Sequence, residues 1–357
     1  MSGTKLPFVS IVVPMLNEER YAADCLASLL VQGARWADGA SFEILVMDGG
    51  STDRTREIVA ALQKTNPAIR MVHNSKRLQS AAMNLAGRIA SPRATILLRA
   101  DAHAVYPPDF LADCVGALLK TGAASVVVPM ETRGEVGFQQ AVAAAQNSLL
   151  GNGGSAHRRA TSSHYVEHGH HAAFNRNFFM GIGGYNETFS HNEDAEYDHR
   201  VSLAGGPIWM CGEVMLSYFP RRNPWGLAKQ YFFHGAGRAR TLLTHHIRPR
   251  LRQLLPLLML LGSIGGLLLT PVHVGFALIP LGYSLICFGY GVAEAVRRRD
   301  PWLVAMGPAA MIMHLSWATG FIWRCLDMMR LHLPGRGHQV VHLASMSARV
   351  QGGATSR

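Results

Sequence analysis

Four acidic side chains fall within the segment Asn192 to Asp198 (NEDAEYD), at the start of a predicted helix. Acids in the first turn interact favourably with the helix dipole, which accounts for them without any chemistry. Alternatively, Asp194 is a general base that removes a proton from a hydroxyl group. Asp198, four residues on, shares the helix face of Asp194, and Arg200 is a candidate partner that would neutralise them.

The segment Arg99 to His103 (RADAH) follows an apolar run that predicts a strand. Asp101 and His103 are two residues apart on an extended segment, so their side chains face the same way. A carboxylate and an imidazole together suit Mn²⁺ or Mg²⁺, and such a cation could also hold a diphosphate. In the plainer interpretation, Asp101 caps a turn and His103 is a surface residue.

Two further polar groups have both a structural and a chemical interpretation. Asp48 ends a predicted strand just before two glycines, so its carboxylate either caps the turn or accepts a hydrogen bond from a uracil ring. Four histidines between His164 and His171 could suggest zinc, but no cysteine is near and their spacing is poor for one ion. We expect them instead beside the substrate, after a long loop from Gly151 to Ser163.

These residues are positioned by an alternation of strand and helix patterns. Short runs rich in branched residues predict strands at Phe8–Val13, Phe42–Met47, Ile69–Val72, Thr95–Leu98 and Ser125–Val128. Segments with helical spacing separate them, at Glu18–Gln32, Thr52–Lys64, Ala81–Ala90 and Asp109–Lys120. The alternation predicts an α/β fold with a doubly wound, mostly parallel sheet. Ligands of such sheets bind beyond the carboxyl ends of the strands, where Asn17, Asp48 and the RADAH segment stand.

The last third of the chain has the composition of a membrane region. No charged side chain occurs between Arg252 and Glu294, and none from Pro301 to Trp323. The first stretch exceeds the roughly 20 residues that one spanning helix needs, and a Thr-Pro pair near its middle predicts a helical hairpin. Basic residues at both ends of the hairpin place these ends at the cytoplasm. The second stretch is either a third span or a re-entrant or interfacial segment.

Charge is divided between the two halves of the chain. Arg221 to Arg357 contains 15 Arg and one Lys against three acids, a net charge of +13, whereas Met1 to Pro220 carries −2. We attribute the basic half to anionic headgroups and pyrophosphate and expect no nucleic acid, because no nucleic-acid-binding motif accompanies it. Arg238 and Arg240 either bind a pyrophosphate together or add to a membrane-surface charge.

In this order, the motifs resemble those of the family-2 inverting glycosyltransferases of the GT-A fold, from Phe8 to about Arg240. VSIVVPMLNEE resembles the family's opening strand and nucleotide-binding turn, MDGGSTD its DDGSTD-type motif, and GGYNE its GGFDE acceptor-side turn. NED matches the family's ED motif. RADAH takes the place of the metal-binding DxD motif, with Arg99 where the first acid stands. The RADAH form, the QYFFHGAGRAR segment and the apolar tail are most similar to the succinoglycan glucosyltransferase type.

The resemblance implies a role for each matching residue. Asp194 is the implied base, with Glu193 beside it, and Asp48 is the implied uracil-binding acid. Asp101 and His103 are the implied ligands of a divalent cation, Mn²⁺ or Mg²⁺. The residues implied to bind the nucleotide sugar are Pro14, Asn17, Glu18, Asp48, Arg77, Asn84, Arg99 and Asp101, and those implied to bind the acceptor diphosphate are His234, Arg238 and Arg240.

The resemblance also implies a UDP-sugar donor and an acceptor sugar on a polyprenyl diphosphate, at the cytoplasmic face of a bacterial-type inner membrane. The expected parts are a GT-A domain (1–222), an amphipathic interface helix (223–250), a membrane region of two to three hydrophobic helices (251–330) and a basic, disordered tail (331–357). Two alternatives keep the chemistry: transfer to polyprenyl phosphate itself, or processive synthesis, which the lack of a QxxRW motif disfavours. A third is an inactive membrane scaffold, against which Asp48 and Asp194 are both retained.

Overall fold

A computed structural model describes residues 7–35, 42–153 and 162–331 of the chain. The predicted disordered tail and the centre of the predicted Gly/Ser loop lie outside these residues. The first strands are β1 (Phe8–Met15), β2 (Phe42–Asp48), β3 (Ile69–His73), β4 (Ala94–Arg99) and β5 (Ser125–Val128). Each lies where the runs of branched residues predict it.

Helices between these strands cover both faces of the sheet. They are α1 (Ala22–Arg35), α2 (Thr55–Thr65), α3 (Gln79–Ile89) and α4 (Phe110–Thr121). Side chains alternate along a strand, so β1 contributes to two buried clusters. Ile11 and Val13 pack with residues of α1, α2 and α4, and Val12 packs with residues of α3. The predicted two-sided arrangement is therefore present.

The later elements complete the sheet and add a small second one. They are β6 (Met130–Thr132), α5 (Phe138–Gln146), α6 (Leu149–Asn152), β7 (His164–Val166), β8 (His170–Asn175), α7 (Arg176–Gly181), α8 (Glu193–Leu203), β9 (Ile208–Met210) and β10 (Leu216–Tyr218). The strand order of the main sheet is β3-β2-β1-β4-β8-β5-β9-β7, and β10 pairs with β6. The β1–β2, β1–β4, β2–β3 and β5–β9 pairs are parallel. The predicted α/β fold with a mostly parallel sheet is confirmed.

One strand departs from the simple alternation. β8 runs antiparallel between β4 and β5, with Leu98 opposite Ala173 and Val126 opposite the same residue. The histidines at the start of β8 therefore lie next to the end of β4, where the RADAH segment begins. The insertion of β8 thus brings its histidines next to the RADAH segment, although Asp101 and His171 are 70 residues apart in the chain.

Four long helices follow the sheet: α9 (Pro224–Thr244), α10 (Leu251–Leu269), α11 (Leu278–Arg298) and α12 (Met306–Leu331). Leu251–Leu269 and Val274–Arg298 are long and apolar enough to cross a membrane, by length and composition. Many of their apolar side chains are exposed, as Leu258 and Leu261 illustrate. The two segments form a helical hairpin of the predicted kind.

α12 lies along α9 in direct backbone contact. A Cβ atom added to Gly235 of α9 would come within 1.9 Å of the Trp317 carbonyl oxygen. A Cβ atom added to Gly320 of α12 would come equally close to the Phe232 carbonyl oxygen. Glycine at both positions lets the two helices approach this closely. Within the described part of the chain, α12 is not among the candidate membrane spans.

Candidate active site

A cavity of about 1660 Å³ opens at the carboxyl ends of β1, β2 and β4. Its wall includes ten predicted site residues: Pro14, Asn17, Glu18, Arg77, Asp101, His103, Glu193, Asp194, His234 and Arg238. The same cavity continues to the apolar helices, where Met259 of α10, Tyr283 of α11 and Trp317 of α12 line it. The acids of α8 and the candidate membrane helices therefore share one cavity.

The loop after β1 is bonded to the loop after β2. Asn17 has a left-handed backbone conformation, with φ 57°, which asparagine adopts more readily than most residues. The Thr52 N–H donates to Asn17 Oδ1 at 2.8 Å, and the Asn17 N–H donates to Ser51 Oγ at 2.9 Å. The Glu18 N–H donates to Thr55 Oγ1, at the start of α2, at 2.7 Å. These bonds hold Asn17 and Glu18 on the cavity wall.

Arg99 joins the two acidic segments of the site. Its side chain is only 6% exposed, and its Nη1 donates to Asp194 Oδ1 at 2.9 Å. Its Nε lies 3.4 Å from Asp101 Oδ1. Although burial would raise the pKa of Asp101, the charges of Arg99 and His170 lower it. One guanidinium thus contacts two carboxylates and lowers the pKa of both, which explains why a base can stand at the first position of RADAH.

Asp194 also belongs to a buried chain of imidazole and carboxylate groups. The His171 side chain is fully buried, with Nε2 2.7 Å from Asp198 Oδ1 and Nδ1 3.4 Å from Asp194 Oδ1. The other oxygen of Asp198 is 2.5 Å from Nδ1 of His168, which lines the cavity. Although burial would lower the pKa of His171, Asp198 and Asp194 raise it to about 9. His171 is therefore a cation at neutral pH, held between two acids of α8.

The two acids at the start of α8 differ in protonation. Although burial would raise the pKa of Asp194, Arg99 and His171 hold it well below the ordinary 3.8. Burial and repulsion from Asp194 raise the pKa of Glu193 to about 7. Asp194 is thus ionised at physiological pH, whereas Glu193 is partly protonated. Both line the cavity, so the site presents an ionised proton acceptor beside a second acid.

Comparison with known proteins agrees with this geometry. Residues 10–183 match the model of the family described as Glycosyl transferase family 2. The chain is also 43% identical over 333 residues to the succinoglycan biosynthesis protein ExoA of Rhizobium meliloti (strain 1021), covering 92% of this chain and 99% of that protein. The chain belongs to glycosyl transferase family 2. The predicted resemblance, to the family and to its succinoglycan type, is confirmed.

Two other similarities are more limited. A dolichyl N-acetyl-alpha-D-glucosaminyl phosphate 3-beta-D-2,3-diacetamido-2,3-dideoxy-beta-D-glucuronosyltransferase of Methanococcus voltae is 36% identical over 106 residues, 29% of this chain and 32% of that protein. The solved structure of the mannosyltransferase PcManGT from Pyrobaculum calidifontis, in complex with GDP-Man and Mn²⁺, has a TM-score of 0.57 at 18% identity. It covers 91% of this chain and 88% of that chain. This likeness supports the GT-A fold predicted for a family-2 enzyme.

Asp48, in the segment that matches the family's DDGSTD-type motif, is 3% exposed and does not line the cavity. The Gly50 N–H donates to its Oδ2 and the Ser51 N–H to its Oδ1, both at 3.1 Å. These bonds close the turn after β2, as the structural interpretation of this residue expects. The predicted contact of Asp48 with uracil stays a prediction.

Asn84, predicted to bind the nucleotide sugar, does not line the cavity either. Its Nδ2 donates to the Tyr185 carbonyl oxygen and to Glu187 Oε1, both at 2.8 Å, and its Oδ1 accepts from the Tyr185 N–H. The side chain is buried, and its polar atoms bind the GGYNE turn. The structure therefore gives Asn84 a role in holding that turn, and does not bring it to the donor side of the cavity.

Arg240 is directed away from the predicted diphosphate site. Its guanidinium donates to the carbonyl and hydroxyl oxygens of Thr188 and lies 4.4 Å from the centre of the Phe189 ring. Arg238 lines the cavity, whereas Arg240 does not. Residues two apart on a helix point about 200° away from each other, so these two arginines cannot share one ligand.

The neighbours of the α8 acids differ from the predicted one. Arg200 pairs with Glu196, with Nε 2.8 Å from Oε1, and not with Asp198. His168 and His171 contact Asp198 instead. The histidine cluster is visible in the sequence, but its partners depend on β8 lying beside β4. These contacts join residues that are distant in the sequence, so a search for family-2 motifs alone would not find them.

The residues around Asp101 fit a divalent cation of the kind that binds phosphates. Asp101 Oδ2 is 3.5 Å from His170 Nε2, and His103 Nδ1 is 3.5 Å from Glu18 Oε1. Among the described residues, no three His, Cys, Asp or Glu side chains are grouped as a metal site. Mg²⁺ in phosphate sites needs only one or two carboxylates, because phosphates and water supply the other ligands. Asp101, with His170 beside it and His103 close enough to lower its pKa, meets that requirement.

Proposed function

We propose that this family-2 enzyme is a membrane-anchored inverting glycosyltransferase that assembles exopolysaccharide repeat units. It would transfer a hexose, glucose, from a UDP-sugar to a sugar carried on a polyprenyl diphosphate. The observation that supports this most is the single cavity that runs from the β1 turn past Asp194 to α10, α11 and α12. A lipid-borne acceptor needs such a connection between an aqueous catalytic site and an apolar surface.

In the proposed reaction, Asp194 is the base. Its Oδ1 accepts from Arg99, so we assign proton abstraction from the acceptor hydroxyl to Oδ2. The hydroxyl oxygen attacks the anomeric carbon opposite the UDP group, a new C–O bond forms, and the bond to UDP breaks. The proton stays on Asp194, the electron pair of the broken bond leaves on UDP, and the anomeric configuration is inverted. His171, whose Nδ1 lies 3.4 Å from Asp194 Oδ1, helps to hold the Asp194 carboxylate in position.

The donor would lie over the carboxyl ends of β1, β2 and β4. Pro14, Asn17, Glu18 and Arg77 would contact the nucleotide, because they line the cavity at that end. Asp101 and His103 would hold the divalent cation, which when bound offsets the negative charge of the diphosphate. Arg99 lowers the pKa of Asp101, so the carboxylate is ionised and able to bind the cation.

We place the catalytic domain at the cytoplasmic face of a bacterial inner membrane. α10 begins at Leu251, within the basic segment 247–252, and α11 ends with Arg297 and Arg298. Both ends of the hairpin are therefore basic and lie on one side, which the positive-inside rule assigns to the cytoplasm. The ion pair between Arg250 and Glu167 links this end of the hairpin to the catalytic domain.

The test is acceptor-dependent UDP release by the purified full-length protein in liposomes. UDP-glucose is supplied with Mn²⁺ or Mg²⁺ and with polyprenyl diphosphates that carry different sugars, and the product's anomeric configuration is determined by NMR. We expect release only when donor, cation and a lipid-linked sugar are all present, with inversion at the anomeric carbon. A retained configuration would refute the single displacement, and inactivity across a panel of UDP-sugars and lipid acceptors would refute the function.

A further inference from the structure

An arginine without a carboxylate partner stands beside the catalytic acids. Arg238 is half-buried and lines the cavity, and it makes no hydrogen bond or ion pair with any residue that the structure describes. Burial, together with the charges of Arg252 and Arg250, lowers its pKa to about 10. Asp198 opposes this shift without pairing with Arg238, and a partly buried guanidinium with two arginines near it is costly unless an anion joins it.

The position of Arg238 is fixed by its neighbour. A Cβ atom on Gly237 would lie 2.7 Å from the His191 carbonyl oxygen and from Asn192 Cβ. α9 therefore touches the chain just before Glu193, where α8 begins. An anion at Arg238 would be next to the acids of α8, and not at the β1 turn where the nucleotide is expected.

Arg252 lies in the first turn of α10 and lines the same cavity. Like Arg238, it has no hydrogen-bonding or ionic partner in the described ranges 7–35, 42–153 and 162–331. Its neighbour Arg250, by contrast, pairs with Glu167 and is not on the cavity wall. Two arginines from different helices thus face one cavity, and neither forms an ion pair with an acid among the described residues. Guanidinium groups bind phosphate oxygens bidentately, so a diphosphate suits such a pair.

Beyond Arg252 the cavity wall becomes apolar. Leu255, Pro256 and Met259 continue the same face of α10, at helical spacing. Together with this face of α10, one face of α11 and one face of α12 form an apolar groove. Its further lining residues are Ile279, Gly282, Tyr283, Ile286 and Cys287 of α11, and Met313, His314 and Trp317 of α12. The cavity therefore has a cationic centre and an apolar end, which is the pattern of an anionic lipid.

We propose that Arg238 and Arg252 bind the diphosphate of the polyprenyl-diphosphate acceptor and that the groove between α10, α11 and α12 holds its first isoprene units. This inference rests on the proposed function and adds the residues that select the acceptor. It replaces Arg240 with Arg252 as the second arginine of the pair. The head group lies beside Glu193 and Asp194, so a sugar attached to it reaches the base.

The arginine pair is tested by Arg238→Gln and Arg252→Gln, with Arg250→Gln as the matched control. For each variant we would measure KM for the lipid-linked acceptor, KM for UDP-glucose, and direct binding of unglycosylated undecaprenyl diphosphate in nanodiscs. Losing a charge-assisted pair of hydrogen bonds should weaken acceptor binding about 10- to 100-fold, with UDP-glucose unaffected. Arg250→Gln breaks only an exposed ion pair with Glu167, which contributes little, so binding of the acceptor should stay as in wild type.

The groove is tested on α11. A Cβ atom on Gly282, which lines the cavity, or on Gly289, which does not, would meet no atom within 4 Å, so neither substitution clashes at its Cβ atom. Gly282→Leu should weaken binding of the undecaprenyl lipid at least tenfold, whereas a sugar diphosphate with a short alkyl chain should bind normally. Gly289→Leu should change neither.

The outcomes separate this inference from the proposed function. Arginine-dependent lipid binding without sugar transfer would keep the inference and refute the function. Transfer that is unaffected by Arg238→Gln and Arg252→Gln would keep the function and refute the inference. A raised KM for UDP-glucose in these variants would assign the arginines to the donor diphosphate and overturn the proposal, and so would inorganic pyrophosphate binding as tightly as the lipid.

Discussion

The positive charge on His171 predicts that the folded protein loses stability as the pH rises above neutral. The imidazole lies between Asp194 and Asp198, and its pKa is raised from 6.5 to about 9. A group whose pKa is higher in the folded than in the unfolded state stabilises the fold while it is protonated. This contribution is complete below pH 6.5 and is lost as the pH passes through about 9.

The contribution of His171 to the free energy of unfolding follows from the same two pKa values, 6.5 and about 9. The difference corresponds to about 3 kcal/mol, lost at about 1.4 kcal/mol per pH unit. The groups hydrogen-bonded to His171 do not titrate in this window, and Glu193, with its pKa of about 7, adds to the slope only at the lower end. The pKa values of Asp194 and Asp198 are lowered by their cationic neighbours despite burial, and burial and Asp194 raise that of Tyr185 well above 10.

The measurement is the apparent melting temperature in detergent from pH 6.5 to 9.5, for wild type and His171→Gln. At pH 7 the variant should melt about 4 °C lower, since about 3 kcal/mol is spread over the unfolding entropy of a chain of this size. The gap should close towards pH 9.5, because wild type has then lost the same charge. His164→Gln, an exposed histidine on β7, is the control and should follow wild type.

A second variant keeps the test informative if His171→Gln alone does not fold. His171→Gln leaves two buried acids without their cation, whereas His171→Gln with Asp198→Asn removes one of those acids as well. The double variant should recover part of the lost stability and should show no slope between pH 7 and 9. A single variant that keeps the slope of wild type would refute the assignment of the charge to His171.

Three further predictions concern the helix contact, the donor turn and the cation. Gly320→Ala places a Cβ atom 1.9 Å from a carbonyl oxygen of α9 and should cost about 1–3 kcal/mol in thermal stability, whereas Gly265→Ala, with no atom within 4 Å, should not. Gly50→Ala should raise KM for UDP-glucose severalfold, because Gly50 has φ 82° and an added Cβ atom would lie 3.4 Å from Nη2 of Arg77. Gly183→Ala controls for the backbone strain alone, because Gly183 has φ 88° and its added Cβ atom would meet no atom within 4 Å. Chelation should abolish transfer by wild type, with full recovery on adding Mn²⁺, whereas Asp101→Asn should require a much higher Mn²⁺ concentration; activity in a chelator would contradict the cation's role.

Local sequence signals were sufficient for the first five strands and for ten residues of the cavity wall. Strands such as Phe8–Met15 are dense in branched residues, and the polar segments that follow them must meet at one edge of a parallel sheet. On this ground Asn17, Asp48 and the RADAH segment were expected at one edge of the sheet, whereas the acids of α8 were brought to the site only by the family resemblance. The family resemblance then supplied their expected roles.

Other features depended on contacts between distant segments. No local pattern in RADAH indicates that Arg99 reaches Asp194, because that ion pair needs α8 to fold over the end of β4. The pairing of His171 with Asp198 likewise needs the antiparallel insertion of β8. Arg240 was assigned by its closeness to Arg238 in sequence, although helical geometry turns it to the opposite side.

The central claim, that Asp194 removes the acceptor proton, is tested most directly by comparing Asp194→Asn with Glu193→Gln. Both acids line the cavity, so the two variants are a matched pair. Acceptor-dependent UDP release and UDP-glucose binding would be measured for each. If Asp194 is the base, Asp194→Asn should lower kcat about 10²- to 10⁴-fold with donor binding intact, and Glu193→Gln should retain more activity. Near-normal turnover by Asp194→Asn, together with loss of turnover in Glu193→Gln, would contradict this claim.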